Sequence, residues 1–177
     1  NEPPSPRTRH EKLTPSMSTL VVKSHITEGL EMARKERLPK AVLNAIPEHH
    51  GTMVMAFFYH KALESDPGAR REDFSYPGPR PRSPETAILM LADGVEGASR
   101  ALAEPTPSRI RGLVTRIIDE RVQQGQLDES SLTLQDLAKV REAFIPVLTA
   151  IFHVRAPYPV DPTKRSRADA DLRKEST

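Results

Sequence analysis

With 177 residues, a net charge of +2 and no cysteine, the chain is long enough for one domain with a real core, and it holds neither disulfides nor thiolate metal ligands. The small charge excess gives no basic stripe of the kind that tracks a phosphate backbone, so DNA and RNA are not expected partners. No apolar run approaches the ~18 residues of a membrane span, and the opening NEPPSPRTRHEK lacks a signal-peptide core; it reads as the start of a piece cut from something longer.

Residues 1–17, rich in proline and charge, are expected as an irregular arm. From Ser18 the pattern turns helical: Leu20, Val21, His25, Ile26, Gly29, Leu30 and Ala33 recur at spacings of three and four. Arg34, Lys35 and Arg37 suit the negative end of the helix dipole, and Pro39 follows the stop. A short helix over about 40–46 should end near Pro47, and the next should begin at His49–Gly51 and run to about Glu64. The stretch SDPGARREDFSYPGPRPRSP then forms a long loop, of a length that is uncommon inside a domain and tends to be functional or mobile.

Ser83-Pro84 restarts a helix, with a capping serine and proline at its first position. Its apolar face is Ala87, Ile88, Leu91, Ala92, Val95, Ala98 and Leu102. Thr106-Pro107 repeats the signal, and Ile110, Leu113, Val114, Ile117, Ile118 and Val122 form a stripe closed by Gly125. Thr133 and Asp136 make a short-acid capping box for a last helix with Leu134, Leu137, Val140, Phe144, Val147, Leu148 and Ile151 facing inward and a kink expected at Pro146. The tail from residue 155 is expected to be disordered, which leaves a domain over 18–154. Nothing sustains a period of two, so the fold class is all-α.

Four polar residues interrupt these apolar patterns. His25 replaces a hydrophobe on the first stripe; taken alone, it reads as a buried, hydrogen-bonded histidine before it reads as a ligand. Asp93, inside AILMLADGVEGA, is costly to bury unless paired or metal-bound. His49 and His50 are adjacent, and on a helix neighbouring side chains diverge by about 100°. Two such imidazoles therefore suit two neighbouring ions, or an ion and a phosphate, better than one ion. Together with His25 and Asp93 they make a metal site the better reading, with iron, manganese or zinc suited to the His and carboxylate donors. His10, His60 and His153 carry less weight, and Glu48 and Glu96 read equally as groups that support the ligands or transfer protons and as solvated helix residues.

The order His25, His49-His50, Asp93, set in SHITEGLEMARKERLPK, EHHGTMVMAFFYHKA and SPETAILMLADGVEGASRAL, resembles the later half of HD-superfamily metal-dependent phosphohydrolases. More closely it resembles the cytoplasmic HD domain of the seven-transmembrane HD receptors, the PgpH type. PTPSRIRGLVTRIIDERVQQGQLDESSLTLQDL and FIPVLTAIFHVRAPYP extend the likeness over about residues 10–159. The HD-GYP group shares paired histidines, but its Gly-Tyr-Pro signature is absent; YPGPRP is a different motif in a different place.

The resemblance implies an HD helical bundle that hydrolyses one phosphodiester bond of cyclic di-AMP to give the linear dinucleotide, in the cytoplasm, within a membrane-anchored parent. It implies that His25, His49, His50 and Asp93 are metal ligands shared between two divalent transition metals, iron or manganese. The YPGPRPR loop could border the nucleotide, with Tyr76 for stacking and Arg80 or Arg82 for phosphate, or serve simply as a connector. The family places a first histidine and the His-Asp dipeptide upstream of this stretch, so the bundle is expected to miss its N-terminal helices. His10-Glu11, in RHEKLTP, matches a later His-Asp-Lys-Leu stretch rather than that dipeptide. The chain is thus either part of a larger enzyme or a degenerate copy that senses a nucleotide or binds a partner without turnover; an HD hydrolase acting on another nucleotide is a third reading.

Overall fold

The computed structural model describes residues 13–153. The expected arm up to residue 12, with His10-Glu11, and the tail from residue 154 lie outside the described residues. Six α-helices follow in order: α1 (Pro15–Lys35), α2 (Lys40–Glu48), α3 (Ala56–Ser65), α4 (Pro84–Ser99), α5 (Pro107–Gln123) and α6 (Leu134–His153). A 3-10 turn at Arg71–Phe74 sits in the long loop, and the only extended pairing among the described residues is an isolated antiparallel bridge between Val54 and Ser75. The fold is all-α, as the periodicity requires. Among the described residues no helix is long and apolar enough to cross a membrane.

Local signals account for most helix starts. The α4 cap is a full box in which the Ser83 hydroxyl and backbone N–H exchange bonds with Thr86. Thr106 accepts from the Arg109 N–H, and Thr133 and Asp136 close the box at α6. The first helix begins at Pro15, before the expected Ser18, because Thr14 caps it and Pro15 takes the first turn, where a missing N–H does no harm. Gly125, at φ +64°, ends α5 in the left-handed conformation.

Helix α2 ends at Glu48, close to the stop expected near Pro47; a proline in the last turn forfeits only one intrahelical bond, and the His49 N–H still reaches the Ala45 carbonyl. One expectation fails: no helix starts at His49–Gly51. His49 caps the end of α2, Gly51 takes φ +52°, and α3 begins only at Ala56.

The firmest core lies between α4, α5 and α6. Met90, Leu91, Val95, Ile110, Val114 and Ile118 are completely or almost completely buried there, with Leu137, Ile145 and Leu148 of α6 against them. Helix α1 packs on α2 and α3, and α2 packs on α4. The stripes are shifted from expectation on several helices. Leu20 and Val21 of α1 are exposed while Thr19, Ile26 and Ala33 are buried; Ile88, Val122, Leu134, Val147 and Ile151 also face solvent. Met90 and Ile145 take the inward places that the sequence reading gave to neighbours.

Candidate metal centre

Three imidazoles meet where α1 crosses the end of α2. His25 comes from the middle of α1, and His49 and His50 from the turn after α2. Each offers a ring nitrogen, and these atoms lie within 4.8 Å of one another. The ring centroids of His25 are 5.6 and 5.1 Å from those of His49 and His50, which are themselves 3.9 Å apart. The divergence expected of neighbours on a helix does not apply, because this pair sits on a turn that brings both rings to the same place.

Backbone chemistry fixes two of the rings. His49 Nδ1 lies 2.7 Å from the Ile46 carbonyl, and His25 Nδ1 bonds the Val22 carbonyl. A carbonyl oxygen only accepts, so Nδ1 carries a proton in both rings and Nε2 is the nitrogen left to face the cluster. Tying the remote nitrogen to a backbone carbonyl is how ligating histidines are oriented and made more basic. His50 Nδ1 is buried with no hydrogen-bond partner. Burial first, then the neighbouring His49, His25 and Arg121, pushes His50 down to about 3, so the ring is neutral near pH 7. Asp93 Oδ2 of α4 is 3.7 Å from that Nδ1; with an uncharged imidazole this is a carboxylate beside a neutral ring and not an ion pair. A neutral His50 with an orphaned buried nitrogen, two rings held at Nδ1 and an adjacent carboxylate together fit a divalent metal.

The other predicted residues divide. Tyr76 reaches the cluster: its ring stacks on His50 at 4.2 Å and 20°, so one face is already covered. Burial, then the Asp93 charge, pushes its phenol up to about 12, leaving it a neutral donor. Arg80 and Arg82 turn to the loop after α5, where Arg80 lies 3.7 Å from Asp128 and Arg82 bonds Glu129 at 3.3 Å. Glu96 pairs with Arg100. His60 is exposed on α3, as expected, and the side chain of His153 lies outside the described residues.

Two residues support the turn: Glu48, which the sequence offered as a supporting or proton-transfer group, and Gln126, which it did not single out. Glu48 is 4 % exposed and turns to α4, accepting from the Thr86 hydroxyl at 2.6 Å and the Arg82 N–H at 3.0 Å. It fastens the residue just before the histidine pair to the start of the helix that carries Asp93. Gln126, also buried, accepts from the Thr52 N–H at 2.9 Å and donates to the Thr52 hydroxyl at 3.0 Å, holding the far side of the same turn. A Cβ at Gly51 would lie 2.5 Å from its Oε1. A buried acid next to an HH pair was visible as a composition oddity; the Gln126 contact has no local signal.

The HD domain family matches residues 2–98. The chain is 41% identical over 150 residues to the cyclic-di-AMP phosphodiesterase PgpH of Bacillus subtilis and 36% identical over 152 residues to that of Listeria monocytogenes, covering 85% and 86% of this chain. It spans 21% of the length of each of these relatives. The crystal structure of the L. monocytogenes PgpH HD domain in complex with cyclic-di-AMP superposes with a TM-score of 0.79 at 35% identity, over 84% of this chain and 70% of that one. The same domain in a second crystal structure gives a TM-score of 0.76 at 34% identity.

Proposed function

We propose, from the premise that the chain belongs to the HD-domain family, that it is the larger part of a metal-dependent phosphodiesterase domain that opens a cyclic dinucleotide, cyclic di-AMP, to its linear form. The observation that carries this reading is the convergence of three imidazoles within 4.8 Å beside Asp93. The likeness to a domain crystallised with cyclic-di-AMP supplies the substrate class.

In this reading His25 and His49 each present Nε2, His50 presents its unpartnered nitrogen and Asp93 a carboxylate, to hold divalent transition metals, two in the complete domain and of the iron or manganese class. Such a centre supplies charge neutralisation at phosphoryl oxygens and a nucleophile at neutral pH. The chain's own residues do the rest. The carbonyls of Val22 and Ile46 hold two of the rings at Nδ1, Glu48 and Gln126 hold the turn, and Tyr76 shields His50 from water while keeping one ring face and a phenolic donor for the nucleotide. In this reading the domain works on the cytoplasmic side of a membrane-anchored parent; the chain itself spans only a fifth of the length of those relatives.

The test is metal analysis and cyclic di-AMP hydrolysis on this chain beside a form extended N-terminally. The expected result is about two iron or manganese ions and release of the linear dinucleotide by the extended form. If neither form binds metal, the phosphodiesterase reading is refuted and a nucleotide-sensing or protein-interaction module takes its place.

A further inference from the structure

The guanidinium groups that the loop sequence offers for phosphate, Arg80 and Arg82, are engaged by Asp128 and Glu129. A different arginine stands at the cluster. Arg121, in the last turn of α5, takes the inward position that the stripe reading gave to Val122, which is exposed. Its side chain lies along the bare backbone of Gly94, the residue after Asp93: a Cβ there would sit 3.4 Å from Nη2 and 3.9 Å from Nε.

The group is poorly satisfied. Nε is buried with no hydrogen-bond partner, and the one side-chain bond from Nη1 is a long 3.4 Å contact to Gln124 Oε1. Among the described residues it forms no ion pair with a carboxylate. Burial lowers its pKa, opposed by Glu120 and then by Asp93 of the centre. A half-buried cation without a counter-ion is unfavourable in the free protein, so its partner is expected to arrive with a ligand. Guanidinium matches phosphate oxygens with paired, charge-assisted donors.

We propose that Arg121, lying alongside Gly94, is a substrate-binding residue whose guanidinium bonds the non-bridging oxygens of a nucleotide phosphate brought to the His25–His49–His50–Asp93 cluster. The inference rests on the phosphodiesterase reading and gives that site its phosphate contact.

The experiment compares the metal-loaded, N-terminally extended protein with its Arg121→Gln and Arg121→Lys variants. It measures cyclic di-AMP affinity by calorimetry under non-turnover conditions, then turnover, metal content and Tm. Arg121→Gln should weaken binding about 10- to 100-fold, with Arg121→Lys between it and the parent. Metal content should stay level, and Tm should hold or rise because an unpaired charge has been removed. Binding by Arg121→Gln within about threefold of the parent overturns the proposal. So does a loss of affinity that merely follows a loss of metal, since Arg121 would then act on the cluster and not on phosphate. A parent that neither binds nor cleaves cyclic di-AMP refutes the phosphodiesterase reading itself, a result distinct from either.

Discussion

Glu48→Ala should be among the most damaging substitutions outside the imidazoles. The carboxylate accepts from the Thr86 hydroxyl and the Arg82 N–H, and the residue is 4 % exposed. A hydrogen bond to a charged group contributes about 1.5–3 kcal/mol. Some of that is recovered: the Thr86 hydroxyl also donates to the Ser83 carbonyl at 3.2 Å, and the N–H freed at exposed Arg82 can find water. The lower end for each bond gives a loss of about 3 kcal/mol, a large share of the ~5–15 kcal/mol that holds a domain folded. Glu48→Gln keeps the shape and one acceptor and should lose about half as much. In a double-mutant cycle with Thr86→Val, the two sites should couple by about 1–2 kcal/mol. Urea unfolding followed by circular dichroism reads all of these, provided the slope with denaturant stays constant. Because His49 and His50 follow directly, metal content should fall with stability in the Ala variant. A loss below about 1 kcal/mol would refute the latch, since a surface carboxylate gives no more than that.

Gly51→Ala places a Cβ 2.5 Å from Gln126 Oε1 and 2.7 Å from Met90 Cε at φ +52°, so left-handed strain and overpacking add to about 2–4 kcal/mol, read as a lowered urea midpoint. His25→Ala is the opposite case: the residue is exposed, so stability of the metal-free protein should change by less than about 0.5 kcal/mol while metal affinity drops at least tenfold in a competition titration. Asp136 is held below the ordinary carboxylate range by the Thr133 side chain and backbone, then by Lys139. A lowered folded-state pKa means that its support of α6 is present above the unfolded-state value and is lost as pH falls through the folded one. Asp136→Asn should therefore flatten the acid limb of a Tm-versus-pH curve, and an unchanged limb would count against the capping role.

The elements most legible in the sequence were those whose causes are local. Ser83-Pro84, Thr106-Pro107 and the Thr133–Asp136 box each satisfy helix-end N–H groups within three residues, so three helix starts could be read from neighbours alone. Thr14-Pro15 carries the same chemistry but lies next to a proline-rich stretch that masked it. The turn after α2 was not legible, because the residue that stabilises it, Gln126, stands 74 positions from Thr52. That error also shaped the reading of the histidine pair, whose rings are near neighbours and not divergent. The inward role of Arg121 was written in the α5 spacing, three and four residues beyond Ile118 and Ile117, yet a hydrophobe one place later drew the stripe away from it.

The uneven core has a consequence for how the centre assembles. The buried large side chains concentrate in α4, α5 and α6, whereas the buried apolar residues of α1 and α3 are only Ile26, Ala33 and Ala62. Helices with few buried apolar contacts open at lower free energy than the core they rest on, so α1 should exchange its amide hydrogens through an opening that leaves Asp93 in place. His25 then belongs to a part of the molecule that docks and undocks, and a ligand spanning His25 and Asp93 binds only the docked fraction. Its measured affinity is the intrinsic one scaled by that fraction, and anything that keeps α1 seated tightens the site without touching it.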